Sequence, residues 1–294
     1  KPNDALARYA LGNWLAAHRR WEDALREWLT ALDASSSTNS EDVQTLAERG
    51  LQVVPPQLVV VPTLYRNIGL ALSEAKGWHN LALRYHERAL SLSPDDHYLW
   101  LERDAVARRA GIDALTRLQW LEQASQPVLH ENRMAQLHAH LLVQAQRYDD
   151  AIRVLHSRTF HVAEGETSTR PVWVEAHVGK GKQLAQHGDW QGALQQFQHA
   201  LEYPHHLAVG KPVHPADAIP LFWAGLAAQR LGQDELARDY WQEAVGCAAY
   251  SDGDKAHQAM ALELLGRIEE AQRLAQLEGV AREVQHLREE IATA

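Results

Sequence analysis

Small and apolar residues recur along this chain in one order: a Gly inside a stretch of helical period, a polar or aromatic turn, then Ala-x-x-x-aromatic-x-x-Ala. The order stands as Gly12…Trp21-Glu22-Asp23-Ala24…Trp28…Ala31, as Gly181…Trp190-Gln191-Gly192-Ala193…Phe197…Ala200 and as Gly225…Ala237…Trp241…Ala244. The block Ala82-Leu-Arg-Tyr-His-Glu-Arg-Ala89, followed by Pro94, carries the second half, and Ala151 and Ala271 belong to weaker copies. Positions three and four apart share a helix face. Each copy therefore predicts two helices that approach closely at Gly and Ala, with the aromatic filling the gap between units. Ala237 and Ala271 stand one period of about 34 residues apart. Ala82 and Ala151 leave room for two units, the irregular one running from Leu99 to Ala124 with Gly111 in its turn. In all, about seven helical pairs are expected.

The departures from this period are insertions. Between the copies at Ala24 and Ala82 lie about 24 extra residues, among them the run Ser35-Ser36-Ser37-Thr38-Asn39-Ser40 and the stretch holding Pro55 and Pro56. Ser, Pro and β-branched residues break helices, so a loop is expected, with a short helix over Glu41–Arg49. Two further insertions fall at Ser157–Pro171 and Tyr203–Pro220. The organisation read from these is one array: 1–34 as a first unit, 35–62 an inserted linker, 63–261 central units and 262–294 capping helices. The last segment carries the stripe Leu274, Leu277, Val284, Leu287, Ile291, as a shield for the final repeat requires.

Composition narrows the function classes. The 294 residues are 46% hydrophobic and 23% charged, a folded composition. The net charge of −9 argues against a nucleic-acid partner, which needs a dense Lys/Arg surface. The most apolar stretch, Val53 to Val61, is broken by prolines and too short to span a bilayer. Cys247 is the only cysteine, so no internal disulfide is possible, and its apolar helical setting reads as packing rather than as a nucleophile. His138 and His140, two apart on a helix, point about 200° from one another and cannot share an ion. His205, His206 and His214 share a loop but have no Cys or carboxylate placed with them. The pair Gly179-Lys180-Gly181-Lys182 lies within a helix, not after a strand, and is no phosphate loop; nucleophile-elbow and zinc-protease motifs are absent. No catalytic residue, cofactor or metal is expected. The compartment is unassigned, with the cytoplasm favoured.

The repeat resembles the tetratricopeptide repeat, a helix-turn-helix unit. The resemblance implies an all-α, right-handed superhelical solenoid of about seven such units with inserted loops, and a binding scaffold rather than an enzyme. On the register it supplies, Phe222 and Trp223 face the groove, where aromatics can stack on a ligand. Arg66 and Asn67 also take groove positions. Some members of that family hold a peptide carboxylate with Lys, Asn and Arg from successive first helices; this chain has Asn13, but Tyr9 and Glu102 replace the basic residues, which argues against such a clamp.

The insertions hold the remaining candidates. Phe160, His161 and Glu164 in one, and Tyr203, His205 and His206 in the next, could hydrogen-bond a polar ligand or an adjoining domain. Insertions after successive repeats would form one rim. The blocks Tyr65-Arg-Asn-Ile-Gly69, His97-Tyr-Leu-Trp-Leu-Glu-Arg103, Arg158-Thr-Phe-His161 and Tyr203-Pro…Gly210 also look like the C-terminal helical half of large bacterial proteins with an N-terminal region similar to sugar mutarotases. The chain begins at Lys1, which leaves an upstream domain open. Two readings result: a non-catalytic protein–protein or interdomain scaffold, and, alternatively, a helical accessory domain completing a sugar site through His161, Glu164 or His205. The expected partner is a protein or an adjacent domain of the same polypeptide, without nucleic acid or membrane insertion. Homo-oligomers through terminal repeats are a further expectation.

Overall fold

A computed structural model of the chain describes residues 4–33, 42–161 and 169–294, and these are all-α, without a strand among the described residues. The chain divides into two compact units, Lys1–Leu141 and Leu142–Ala294. The first holds α1 (Ala5–Ala17), α2 (Trp21–Leu32), α3 (Val43–Gly50), α4 (Val61–Lys76), α5 (His79–Leu92), α6 (His97–Arg109), α7 (Ala114–Leu121) and the short α8 (Gln126–Leu129). The division falls within α9 (Asn132–Gln144). The second holds α10 (Tyr148–His156), α11 (Arg170–Gln186), α12 (Trp190–Ala200), α13 (Ala218–Arg230), α14 (Asp234–Gly246), α15 (Asp252–Leu264), α16 (Ile268–Ala275) and α17 (Val280–Thr293).

Seven helix-to-helix turns share one geometry. In each, a single residue adopts positive φ: Gly at 77, 111, 188, 232 and 266, but Arg19 and Gln146, both at 59°, in the other two. The next residue's N–H donates to the carbonyl five positions back, as Arg20 to Leu15, Trp78 to Leu72's carbonyl one position further, and Asp189 to Leu184, at 2.9, 3.0 and 3.0 Å. This wrapping of the helix end satisfies carbonyls that would otherwise be orphaned. It also reverses the chain within a few residues, so the two helices become antiparallel neighbours.

What makes the neighbours pack is the pairing foreseen in the sequence. An added Cβ at Gly12 would collide with the Trp28 ring, at Gly181 with Phe197 and at Gly225 with Trp241. The indole N–H of Trp28 donates to the Tyr9 carbonyl and that of Trp241 to the Phe222 carbonyl, both at 3.3 Å. In each case the acceptor lies three residues before the glycine, so the same knob is seated in the same way. The alanines heading the second helices, Ala24, Ala82, Ala151, Ala193 and Ala237, are fully buried. Tetratricopeptide-type pairing is thus present in these helix pairs.

The described part of the insertion after α2, from residue 42, is docked onto the core. The short helix expected at 41–49 is α3, where Leu46 and Ala47 are buried and the Tyr85 hydroxyl donates to the Ala47 carbonyl at 2.7 Å. The serine run lies outside the described residues. Of the tryptophans, Trp28, Trp173, Trp223 and Trp241 are buried, whereas Trp14 and Trp21 are exposed. Cys247 departs from the expected helical setting: it stands in extended backbone just past α14 and is half-buried.

Two substitutions test this account by thermal denaturation. Gly225→Ala drives a methyl into Trp241 and should lower stability by about 1–3 kcal/mol. Gln146→Gly relieves a left-handed residue and should raise it by about 0.5 kcal/mol, the strain released exceeding the added chain entropy.

Candidate functional site

In the first unit, the groove residues picked from the sequence are brought together and engage one another. Asn67 Nδ2 donates to Asn13 Oδ1 at 3.1 Å, and the same oxygen accepts the Trp28 indole N–H at 3.2 Å. Arg66 forms a two-pronged pair with Glu102, its Nε donating to Oε2 at 2.7 Å. The Glu102 hydrogen bond holds the Arg66 guanidinium above its usual pKa. Glu102, the residue that spoiled the carboxylate-clamp pattern, therefore neutralises the one arginine that such a clamp would use.

His86 occupies the knob position that Trp28, Phe197 and Trp241 take elsewhere, against Gly69. It is fully buried, both ring nitrogens are unpartnered, and burial beside Arg66 and Arg103 pushes its pKa down to about 4. It went unremarked in the sequence because a histidine flanked by the repeat alanines looks like any half-polar helical residue.

In the second unit, the two insertions meet. The Phe160 N–H donates to the His206 carbonyl at 2.6 Å. Arg170, at the start of α11, pairs with Asp217 at 2.9 Å, the carboxylate buried and the guanidinium partly so. The Tyr203 hydroxyl donates to the same carboxylate, and the Arg170 guanidinium lies 3.9 Å from the Tyr203 ring centroid. Burial pushes the Tyr203 hydroxyl pKa up to about 12. Trp173 then stacks among His156, His177 and His206, with ring centroids 4.2–5.8 Å away. Burial lowers the pKa of His206 and takes His177 down to about 4.

This corrects several expected roles. Phe160 is fully buried and anchors its loop rather than meeting a ligand; Tyr203 is held by Asp217 and Arg170. His205 and His161 are exposed, and Glu164 lies outside the described residues. Phe222 and Trp223 do not face a groove: they are 0% and 1% exposed. Helix α13 is apolar on nearly every side and packs against α11, α12, α14 and α15. Its aromatics are therefore core, and Trp223 donates to His257 Nε2 at 3.2 Å.

An open cleft of this unit lies above that core. A cleft of about 490 Å³ runs between α10 and α11 on one side and α17 on the other. Val174, Val178, Ile219 and Leu287 supply its apolar surface, with Tyr148, Lys182, Glu175 and Glu283 around them. Lys182 Nζ is 2.7 Å from Glu290 of α17 and 4.6 Å from the Trp223 ring centroid. Burial holds His257, beneath the cleft, neutral down to about pH 4. Nothing in the cleft pairs a nucleophile with a base, and among the described residues no three metal-ligating side chains converge anywhere.

No known family profile matches the chain. Among solved structures it is similar to a tetratricopeptide repeat protein from Parabacteroides merdae, with 11% identity over 98% of this chain and 99% of that one, at a TM-score of 0.49. The MamA protein aligns at 13% identity over 72% of this chain and 97% of its own, at 0.45. A complex of yeast Sti1, described as its TPR2AB domain with pHSP90, aligns at 15% identity over 98% of each chain, at 0.35. The class assigned to this chain, an all-α solenoid of tetratricopeptide-type pairs, rests on its own turns, glycine–aromatic contacts and buried alanines. Among the described residues no helix is long and apolar enough to cross a membrane.

A pH dependence follows from the buried histidines. His86, His177 and His257 are each harder to protonate folded than unfolded, with pKa values near 4 against an ordinary 6.5. Their contribution is therefore complete above pH 6.5 and is lost as the pH falls toward 4. Urea midpoints should drop across that window. His86→Phe, which restores the apolar knob, should reduce the drop by up to roughly 3 kcal/mol; an unchanged pH profile would remove His86 from this role.

Proposed function

We propose that this chain is a non-catalytic interaction scaffold, whose groove, edged by the inserted loops, holds a protein or an adjoining domain of the same polypeptide. The observation that carries this reading is the cleft of the second unit, a half-apolar concavity on the first-helix side of its pairs. Solenoids present such extended surfaces, and their partners lie in them as strands or helices. The polar groups placed in the insertions favour a structural part for that rim. Arg170, Tyr203 and Asp217 satisfy one another, and their loops are tied by the Phe160–His206 bond. The alternative, an accessory domain completing a sugar site through His161, Glu164 or His205, draws no support from this pairing, which leaves His161 and His205 exposed.

A photo-reactive benzoylphenylalanine placed at Val174, in the cleft, should cross-link to a discrete polypeptide in the host cell. The same group at exposed Glu235 on α14 should not. Equal labelling at both positions, or none at Val174, would count against a scaffold that works through this face.

A further inference from the structure

We infer that the cleft between α11 and α17 takes a basic amphipathic helix, an inference that rests on the scaffold reading above and specifies its partner. The charges around the cleft point to this. Its one lysine, Lys182, is neutralised by Glu290, and the neighbouring Lys180 by Asp149 at 2.7 Å. Among the described residues neither Glu175 on α11 nor Glu283 on α17 makes an ion pair, so the walls present uncompensated negative charge beside the apolar floor. The whole chain carries −9, which adds long-range attraction for a positive segment and repulsion for a negative one.

The shape of the occupant follows from α17 itself. That helix already lies on the same face as an amphipathic element: Val280, Val284 and Leu287 are buried against α15, and Arg288 and Glu290 make flanking ion pairs with Glu263 and Lys182. An apolar stripe between charged flanks is thus what this surface accommodates. Val174 and Ile219, both half-buried, extend that seat beyond α17. A second helix laid beside α17 would put its apolar edge on Val174 and Ile219 and its flanking Lys or Arg against Glu175 and Glu283. Helix-in-groove recognition uses anchors one turn apart along the bound helix.

The test uses the full chain and three fluorescein-labelled peptides of about 18 residues, or five helical turns. One carries Leu at helical spacing in a Lys background, the second has every Lys replaced by Glu, and the third is the Lys peptide with two central prolines. Anisotropy should show saturable binding of the Lys peptide, weakened by salt, and little binding of the other two. Glu175→Gln with Glu283→Gln should weaken binding about tenfold, whereas Glu235→Gln with Glu243→Gln on α14 should leave it within twofold. Circular dichroism should show both variants folded.

Equal loss in the two double variants would mean diffuse attraction to an acidic protein and would overturn the site. Equal binding by the proline peptide would overturn the helix. Cleft-specific binding by the Glu peptide would reverse the assigned partner charge while leaving the scaffold reading intact. If none of the three peptides binds, the basic-helix assignment falls. The Val174 cross-link then decides separately whether the scaffold reading falls with it.

Discussion

The pairs α1/α2, α4/α5, α11/α12 and α13/α14 depend on two backbones coming close enough for a large side chain to bridge them. Glycine in the first helix makes that approach possible, and Trp28, Phe197 or Trp241 in the second fills the space it opens. The contact is intolerant in both directions: a methyl at the glycine collides, and a smaller ring leaves a cavity in a densely packed interior. It is also directional, because the indole N–H of Trp28 and Trp241 finds a carbonyl one turn before the glycine. Helices held at this contact present their remaining faces predictably, and the cleft of the second unit is built on faces so presented.

His86 shows what happens when the knob is replaced. The ring still fills the space against Gly69, yet its two nitrogens are buried without partners. Neutral imidazole is tolerated there, and charge is not. The adjacent polar ladder of Asn13, Asn67, Arg66 and Glu102 is satisfied internally. The first unit thus invests its polar groove residues in holding α1, α4 and α6 together, and the second unit does the same at the rim with Arg170, Tyr203 and Asp217. The cleft beside α17 differs from these in its open apolar surface and in two carboxylates, Glu175 and Glu283, that make no ion pair among the described residues.

Much of the candidate site could not be read in the sequence, for a physical reason that differs from case to case. Phe222 and Trp223 look like groove aromatics because their helix position favours it, but α13 is enclosed on several sides. Enclosure is a property of neighbours far away along the chain. Lys182 and Glu290 are separated by more than three repeats in sequence, and only the return of α17 over α11 joins them. Glu175 and Glu283 matter for what they lack, and an unpaired charge is visible only when its surroundings are known.

By itself the sequence determined the helical pairs, their number, the knob-and-glycine contacts and the places where insertions interrupt them. These are local matters: a turn needs a residue that tolerates positive φ, and a close approach needs glycine and alanine at helical spacing. That the insertions meet each other was also expected from their places after successive repeats. Tertiary structure alone decided which aromatics are core, which polar groups saturate one another and where an open cleft remains. Those outcomes depend on the desolvation and pairing of groups brought together from distant parts of the chain, and no local pattern carries that information.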